Sequence, residues 1–543
     1  MDFWNVDRAR VKVFKYFIFL FFVSTSLFAD VKMPSLFGDN MVLQRDIPLN
    51  VWGWASPGEN VTVSFAPSAG SGQASQTVSA TADNDGKWIL KLDPLKVSKE
   101  PSELIVSSSI GNQQLKIKNV LVGDVWVCSG QSNMQMVVAN AVNAKDEVAA
   151  SENPLIRHVA IGYSTSLYPK EDTSPAKWVA ASPSTTGYFT AAGYYFAREI
   201  VKETGIPVGL IHSSQGGTRI EPWTPAEGFR KIPELKSISD KTDSCIPTTE
   251  IGKATFLKYI EDMKAWMPAA EAALKEGRMT PSAPLMPGST NVESSPTMLF
   301  NGMINPLVNY GIKGVLWYQG EGNGGEDMIY AHKMNALVSG WRALWKEGDF
   351  PFYFVQLANY QTSSPDNPTG GDGYAKVRDA QRRTLSIVPN TGMAVAIDIG
   401  ESADIHPKDK QDVGKRLAAL ALVKDYGKKT VPSGPLLKDF KVEGGKIRMT
   451  FDYVGSGLTV AKKDGIAAFQ ETPGEKLKWI AIAGADKKWY WADAVIDGET
   501  VVASSNKVPE PVAVRYAFAH NPQGANLYNK DGFPASPFRT DNW

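Results

Sequence analysis

Cysteine is nearly absent: two in 543 residues, Cys128 and Cys245, cannot build a disulfide framework. No CxxC or Cys/His spacing suggests a zinc site. Cys128 falls within an apolar run and reads as a small buried side chain. Stability must therefore come from apolar cores, which a chain of this length can supply. An excess of charge is also missing, because basic and acidic residues both number 57. No basic face follows from that balance, which argues against nucleic acid as a partner. Histidine is scarce at five, so any search for a general base is short. Neither an internal repeat nor a heptad pattern is visible, and no organic cofactor motif or metal set emerges.

What is present begins with a leader. Arg8, Arg10, Lys12 and Lys15 precede the apolar run YFIFLFFVSTSLFA, which ends at the small residue Ala29. The run is shorter than the roughly 20 residues of a spanning helix, so residues 1–29 are expected to be a secretory signal peptide rather than an anchor. Its removal leaves 53 basic and 55 acidic residues in a nearly neutral, secreted or periplasmic protein with no membrane attachment. The length suggests roughly three domains.

Residues 30–120 read as short strands (PLNVWGW, ENVTVSF, GKWILKL, SELIVSS) between turn signals such as SPGE and DNDG, the pattern of a small β-sandwich. From 121 to 430 apolar runs alternate with helical stretches, which implies a mainly parallel sheet covered on both faces. A helical and loop insert over about 225–300 interrupts that rhythm. Strand patterns return over 431–543 as a second β-rich module. The expected class is thus α/β, with β-rich modules on either side.

In a doubly wound sheet, ligands gather beyond the carboxyl ends of the strands. Four apolar runs end in polar clusters. DVWVCSG leads into QSNM, where Ser132 at a strand-to-helix turn is either a helix cap or a nucleophile at a helix N-terminus. The second glycine of an α/β-hydrolase elbow is replaced by Met134, which disfavours that fold. VGLI leads into HSSQGGTRIEPW, whose Gly216-Gly217 pair suits backbone donation to an oxyanion. GVLWYQGEGN presents Gln319, Glu321 and Asn323: an amide could donate to an oxyanion, and Glu321 is either a base or half of a structural ion pair. MAVAIDIGESADIHPKDK presents Asp404 and His406, with Asp398 upstream. His158, His332 and His520 read as structural, and His212 is a weaker rival to His406. Aspartate orienting histidine and histidine deprotonating serine is triad logic.

The motifs GQSNM, QGGTRIEPW, WYQGEGN and DIHPKDKQDVGKRLA, in this order, resemble the sialate O-acetylesterase-like branch of the SGNH hydrolases. FGDNMVLQRD near the start and NLYNKDGFPASPFRTDNW at the end carry the resemblance across nearly the whole mature chain. It implies an α/β/α catalytic domain with Ser132 as nucleophile, His406 as general base and Asp404 orienting it. Many relatives place the aspartate three residues before the histidine, where this chain has Ala403, so Asp398 is an alternative acid. The implied oxyanion donors are the Ser132 N–H, a glycine N–H from Gly216-Gly217, and the amide of Gln319, with Asn323 as fallback. Trp223 and the insert are expected to line the substrate cleft. The implied reaction is metal- and cofactor-free hydrolysis of acetyl esters on an O-acetylated carbohydrate. An acetylxylan or other plant-polysaccharide esterase is the alternative enzyme, a decayed glycan-binding protein the alternative of another class. A glycosidase built on Glu321 lacks a second carboxylate.

Overall fold

A single strand, Gln114–Gly130, organises the molecule. The structure, a computed structural model, describes residues 31–110, 114–288 and 295–543. The expected leader at 1–29 lies outside the described residues, as does part of the loop in the insert. The first half of the central strand pairs antiparallel with Ser98–Ser108 and parallel with Val42–Gln44. Its second half pairs parallel with Val208–Ser214 on one side and Gly314–Tyr318 on the other. Outward from these lie Phe352–Val355 and Thr391–Ala394 on one flank, Asn153–Ala160 and the antiparallel edge strand Val179–Ala181 on the other. The expected boundary at 120/121 falls inside the central strand, and backbone pairing runs across it.

Side-chain alternation divides the second half of this strand between two cores. Val125 and Val127 pack with Trp317, Phe352 and Phe354 under the helices Met328–Trp345 and Ala375–Ile387. Trp126 and Cys128 point the other way, toward Ala191–Thr204 and Lys410–Lys424. Helices thus cover both faces of a mixed sheet. Local residues set one boundary of each helix on the second face. Gly205, in the left-handed region, closes Ala191–Thr204, and Asp409 caps Lys410–Lys424 by accepting the Asp412 N–H.

The N-terminal strands Asn60–Ala66, Gln76–Thr81 and Ser98–Ser108 join the same sheet, and the pair Leu49–Trp54 with Lys87–Leu92 shares their core. Within 225–300 the chain forms the helices Ala226–Arg230, Lys236–Asp243 and Glu250–Lys275. Beyond residue 435, small antiparallel sheets surround a separate core that includes Ile447, Met449, Ile482 and Phe538.

Candidate active site

The parallel strands deliver their polar clusters to one end of the sheet. Gly130 closes the central strand at φ 134°, and a Cβ there would lie 2.2 Å from the Tyr318 carbonyl oxygen. Only glycine lets the two strands approach so closely while the chain turns. Gln131 follows in extended conformation, its N–H bonded to the Tyr318 carbonyl, and Ser132 opens the short helix Ser132–Gln135. The Ser132 N–H is therefore one of the leading helix amides that have no intrahelical acceptor.

Ser132 Oγ lies 2.8 Å from His406 Nε2. The other ring nitrogen, Nδ1, stands 3.3 Å from Asp404 Oδ1. The same oxygen accepts the backbone N–H of His406 at 2.9 Å, fixing the carboxylate beside the ring. That backbone bond, reinforced by the imidazole, holds the Asp404 carboxyl below its usual range. His406 and Asp404 sit on a loop with side chains 40% and 43% exposed, so the site is shallow and open. Asp398 is elsewhere engaged: Arg416 Nη1 and Nη2 donate to its oxygens at 2.6 and 2.8 Å, and the Tyr528 hydroxyl donates at 3.0 Å. The structure brings Ser132, His406 and Asp404 into one line and leaves Asp398 out.

The remaining histidines are placed away from this line. His212 is buried in its strand, its Nε2 2.6 Å from Ser214 Oγ, and burial pushes its pKa down to about 4. His158 is buried and stacked on Phe189, and its pKa is also depressed by burial. His520 stacks on Tyr374, and His332 faces Glu234.

The expected oxyanion donors fare differently. Gly216 lies against Ser132, since an added Cβ would sit 3.4 Å from Ser132 Cβ. Its N–H donates to Gln135 Oε1 at 2.9 Å, so that side chain occupies the position an oxyanion would take on this donor. Gly217 adopts φ +73° with open space around it. Gln319 does not serve as a donor in this arrangement. It is fully buried, its amide donates to Gln131 Oε1 at 3.1 Å and Asn323 Oδ1 at 2.9 Å, and its own Oε1 accepts from Tyr330. Asn323 is likewise committed, donating to Glu221 and Glu326 at 3.1 and 3.2 Å. Both amides belong to a buried framework that also holds Lys333. Trp223 is a further correction: it has no exposed surface, donates to Thr218 Oγ1 and packs edge-on against Trp317, so it is core rather than cleft.

Residues the sequence did not single out complete the picture. Gln131 Oε1 accepts from Gln319 and from the Gly322 N–H, tying the turn before Ser132 to the loop after Gly314–Tyr318. Asn133, next to Ser132, bonds to Glu321, Ile405 and Lys410. Membership of the GQSNM and DIHPKDK motifs was the available signal for Asn133 and Lys410.

Comparison with known proteins bears on this arrangement. Residues 122–241 and 286–423 match the family model described as carbohydrate esterase, sialic acid-specific acetylesterase. The sialate O-acetylesterase of Mus musculus is 30% identical over 559 residues, covering 95% of each chain. The human sialate O-acetylesterase is 28% identical, covering 93% of this chain and 92% of its own. The crystal structure of a carbohydrate acetylesterase from Xanthomonas citri superposes with a TM-score of 0.76 at 34% identity, over 95% of this chain and 100% of that one.

Proposed function

The chain belongs to the sialic acid-specific acetylesterase family of carbohydrate esterases and is a carboxylic ester hydrolase, and from that premise we propose that it removes O-acetyl groups from sialic acids through a Ser132-His406-Asp404 acyl-enzyme mechanism. The observation that carries the mechanism is the 2.8 Å contact between Ser132 Oγ and His406 Nε2. In this reading Ser132 Oγ attacks the acetyl carbonyl carbon as its proton passes to His406 Nε2. Asp404 holds the Nδ1–H tautomer and stabilises the imidazolium. The oxyanion forms at the helix start, where the Ser132 N–H is available and Gly216 becomes a second donor once Gln135 yields its place. The sugar oxygen leaves with the proton from His406. Water, deprotonated by the same nitrogen, then attacks the acetyl-serine and releases acetate.

Ser132→Ala tests this directly. Acetate release from O-acetylated sialic acid should fall by at least roughly 10³-fold with the fold retained. Undiminished release would remove Ser132 from the chemistry.

A second reading, esterase action on acetylated xylan or another polysaccharide, is favoured by the open site, in which His406 and Asp404 are about two-fifths exposed. Such a site admits an acetyl group carried on a bulky chain. Acetate release from O-acetylated sialic acids and acetylated xylan, measured side by side, separates the two: turnover of xylan alone overturns the first substrate. Export by the leader at 1–29 belongs to the same proposal, and the mature protein's N-terminal residue should then lie just after Ala29.

A further inference from the structure

His406 sits on a loop without regular structure, yet its ring meets Ser132 at hydrogen-bond distance. Something other than a helix or strand must fix it. The carbonyls of the residues before and after His406 are both held by side chains: Ile405 O accepts Asn133 Nδ2 at 3.1 Å, and Pro407 O accepts Lys410 Nζ. Asn133 is the residue after the nucleophile and is buried, and Lys410 has no exposed surface. Asn133 Oδ1 accepts from Lys410 Nζ at 2.7 Å, while its amide nitrogen also donates to Glu321 Oε1.

We propose that Asn133 and Lys410, backed by Glu321, are positioning residues that clip the loop bearing His406 to the helix bearing Ser132. The proposal rests on the reading of Ser132 and His406 as nucleophile and base. Its strength lies in the single orientation the amide allows. Turned over, Asn133 would face its NH₂ to the Lys410 ammonium and its oxygen to the Glu321 carboxylate, both repulsive. One neutral amide thus links the Lys410 amine, the Glu321 carboxyl and the carbonyl preceding the base.

The surroundings agree. Lys410 Nζ lies 5.3 Å from the centre of the Tyr318 ring, and burial brings its pKa down to about 7. Glu321 Oε2 has no hydrogen-bond partner among the described residues, and burial raises its carboxyl above the usual range. Ions so poorly solvated are expensive to keep unless they hold something in place. Here Lys410 holds the Pro407 carbonyl directly, and both groups fix Asn133, which holds the carbonyl preceding the base.

The test uses the full chain and p-nitrophenyl acetate as probe, with Asn133→Ala, Lys410→Met, the double variant and Ser132→Ala. The expected result is a fall in kcat of about 10²-fold in each single variant, from a small displacement of the base, with KM within about 3-fold of wild type. The double variant should fall no further than the worse single one, because both act through one clip. Wild-type kcat per folded molecule in Asn133→Ala and Lys410→Met, with Ser132→Ala inactive, overturns the clip and leaves the triad standing. Activity retained in Ser132→Ala overturns the triad itself. Should Asn133→Ala fail to fold, Lys410→Met carries the test. If neither folds, the network serves the fold rather than the base, and the proposal is lost.

Discussion

At the scale of single residues, the proposed chemistry depends on Asp404 staying charged beside His406. Its carboxyl is held below the usual range mainly by the His406 N–H. A depressed carboxylate contributes fully above its ordinary pKa of about 4 and loses that contribution only as pH falls through the lower folded value. Between about pH 5 and pH 8 Asp404 therefore does not titrate. Asp404→Asn should lower kcat by roughly 10²–10⁴ at every pH in that window, because the amide favours the wrong imidazole tautomer. A profile within about 3-fold of wild type across those pH values would exclude Asp404 from the reaction. The scarcity of histidine narrowed the search for a base to His406 in the sequence, which left Ser132 as cap or nucleophile and the acid as Asp404 or Asp398. The structure places Ser132, His406 and Asp404 together. The assignments of Gln319, Asn323 and Trp223 were not recoverable that way. Sequence shows a polar or aromatic group at a strand end, but not whether its hydrogens are already taken by Gln131, Glu221 or Thr218.

At the scale of elements, the helix Lys410–Lys424 carries Lys410 at its start and is anchored further along by Arg416. That guanidinium donates to both oxygens of Asp398 and to the Val395 carbonyl, with side chains only 6% and 4% exposed for the ion pair. Tyr528, from the C-terminal β-rich region, closes on the same carboxylate. Removing one partner of a buried pair leaves the other charge uncompensated, so Arg416→Ala should cost about 3–5 kcal/mol. Urea unfolding followed by tryptophan fluorescence checks it; a cost under about 1 kcal/mol would mean water replaces the guanidinium. The strands that end in the site were legible as apolar runs because both of their faces are buried. The central strand was harder. Its side chains pass from mostly exposed over Gln114–Lys118, with Ile117 buried, to complete burial from Val120 onward. A change of pattern read as a boundary is one strand moving from a half-covered surface into a sheet covered on both sides.

At the scale of the whole molecule, the two ends of the sheet hold different sets of charged groups. The carboxyl end holds the open site, whereas the far end gathers Asp124, Glu347, Asp349 and Asp425 around Arg45 and Lys313 in a cavity of about 470 Å³. Glu347 follows the helix Met328–Trp345, and burial lifts its carboxyl to about 7 from an ordinary 4.5, only partly offset by the Ile312 N–H. The sign follows from linkage. Between these two values the folded chain keeps a proton that the unfolded chain has released, so stability from this group declines as pH rises from about 4.5 to 7 and stays low above it. Glu347→Gln, which resembles the protonated form, should match wild type near pH 4.5 and exceed it at about pH 8, by on the order of 1–3 kcal/mol. Contributions from other titrating groups, Lys410 among them, cancel in the difference between variant and wild type. Acetate release should be unaffected, because Glu347 lies at the end of the sheet opposite Ser132. Urea midpoints at the two pH values decide the matter: an equal gain at both would place the effect in packing, and no gain at pH 8 would mean that Glu347 is solvated and ionised like an ordinary surface carboxylate.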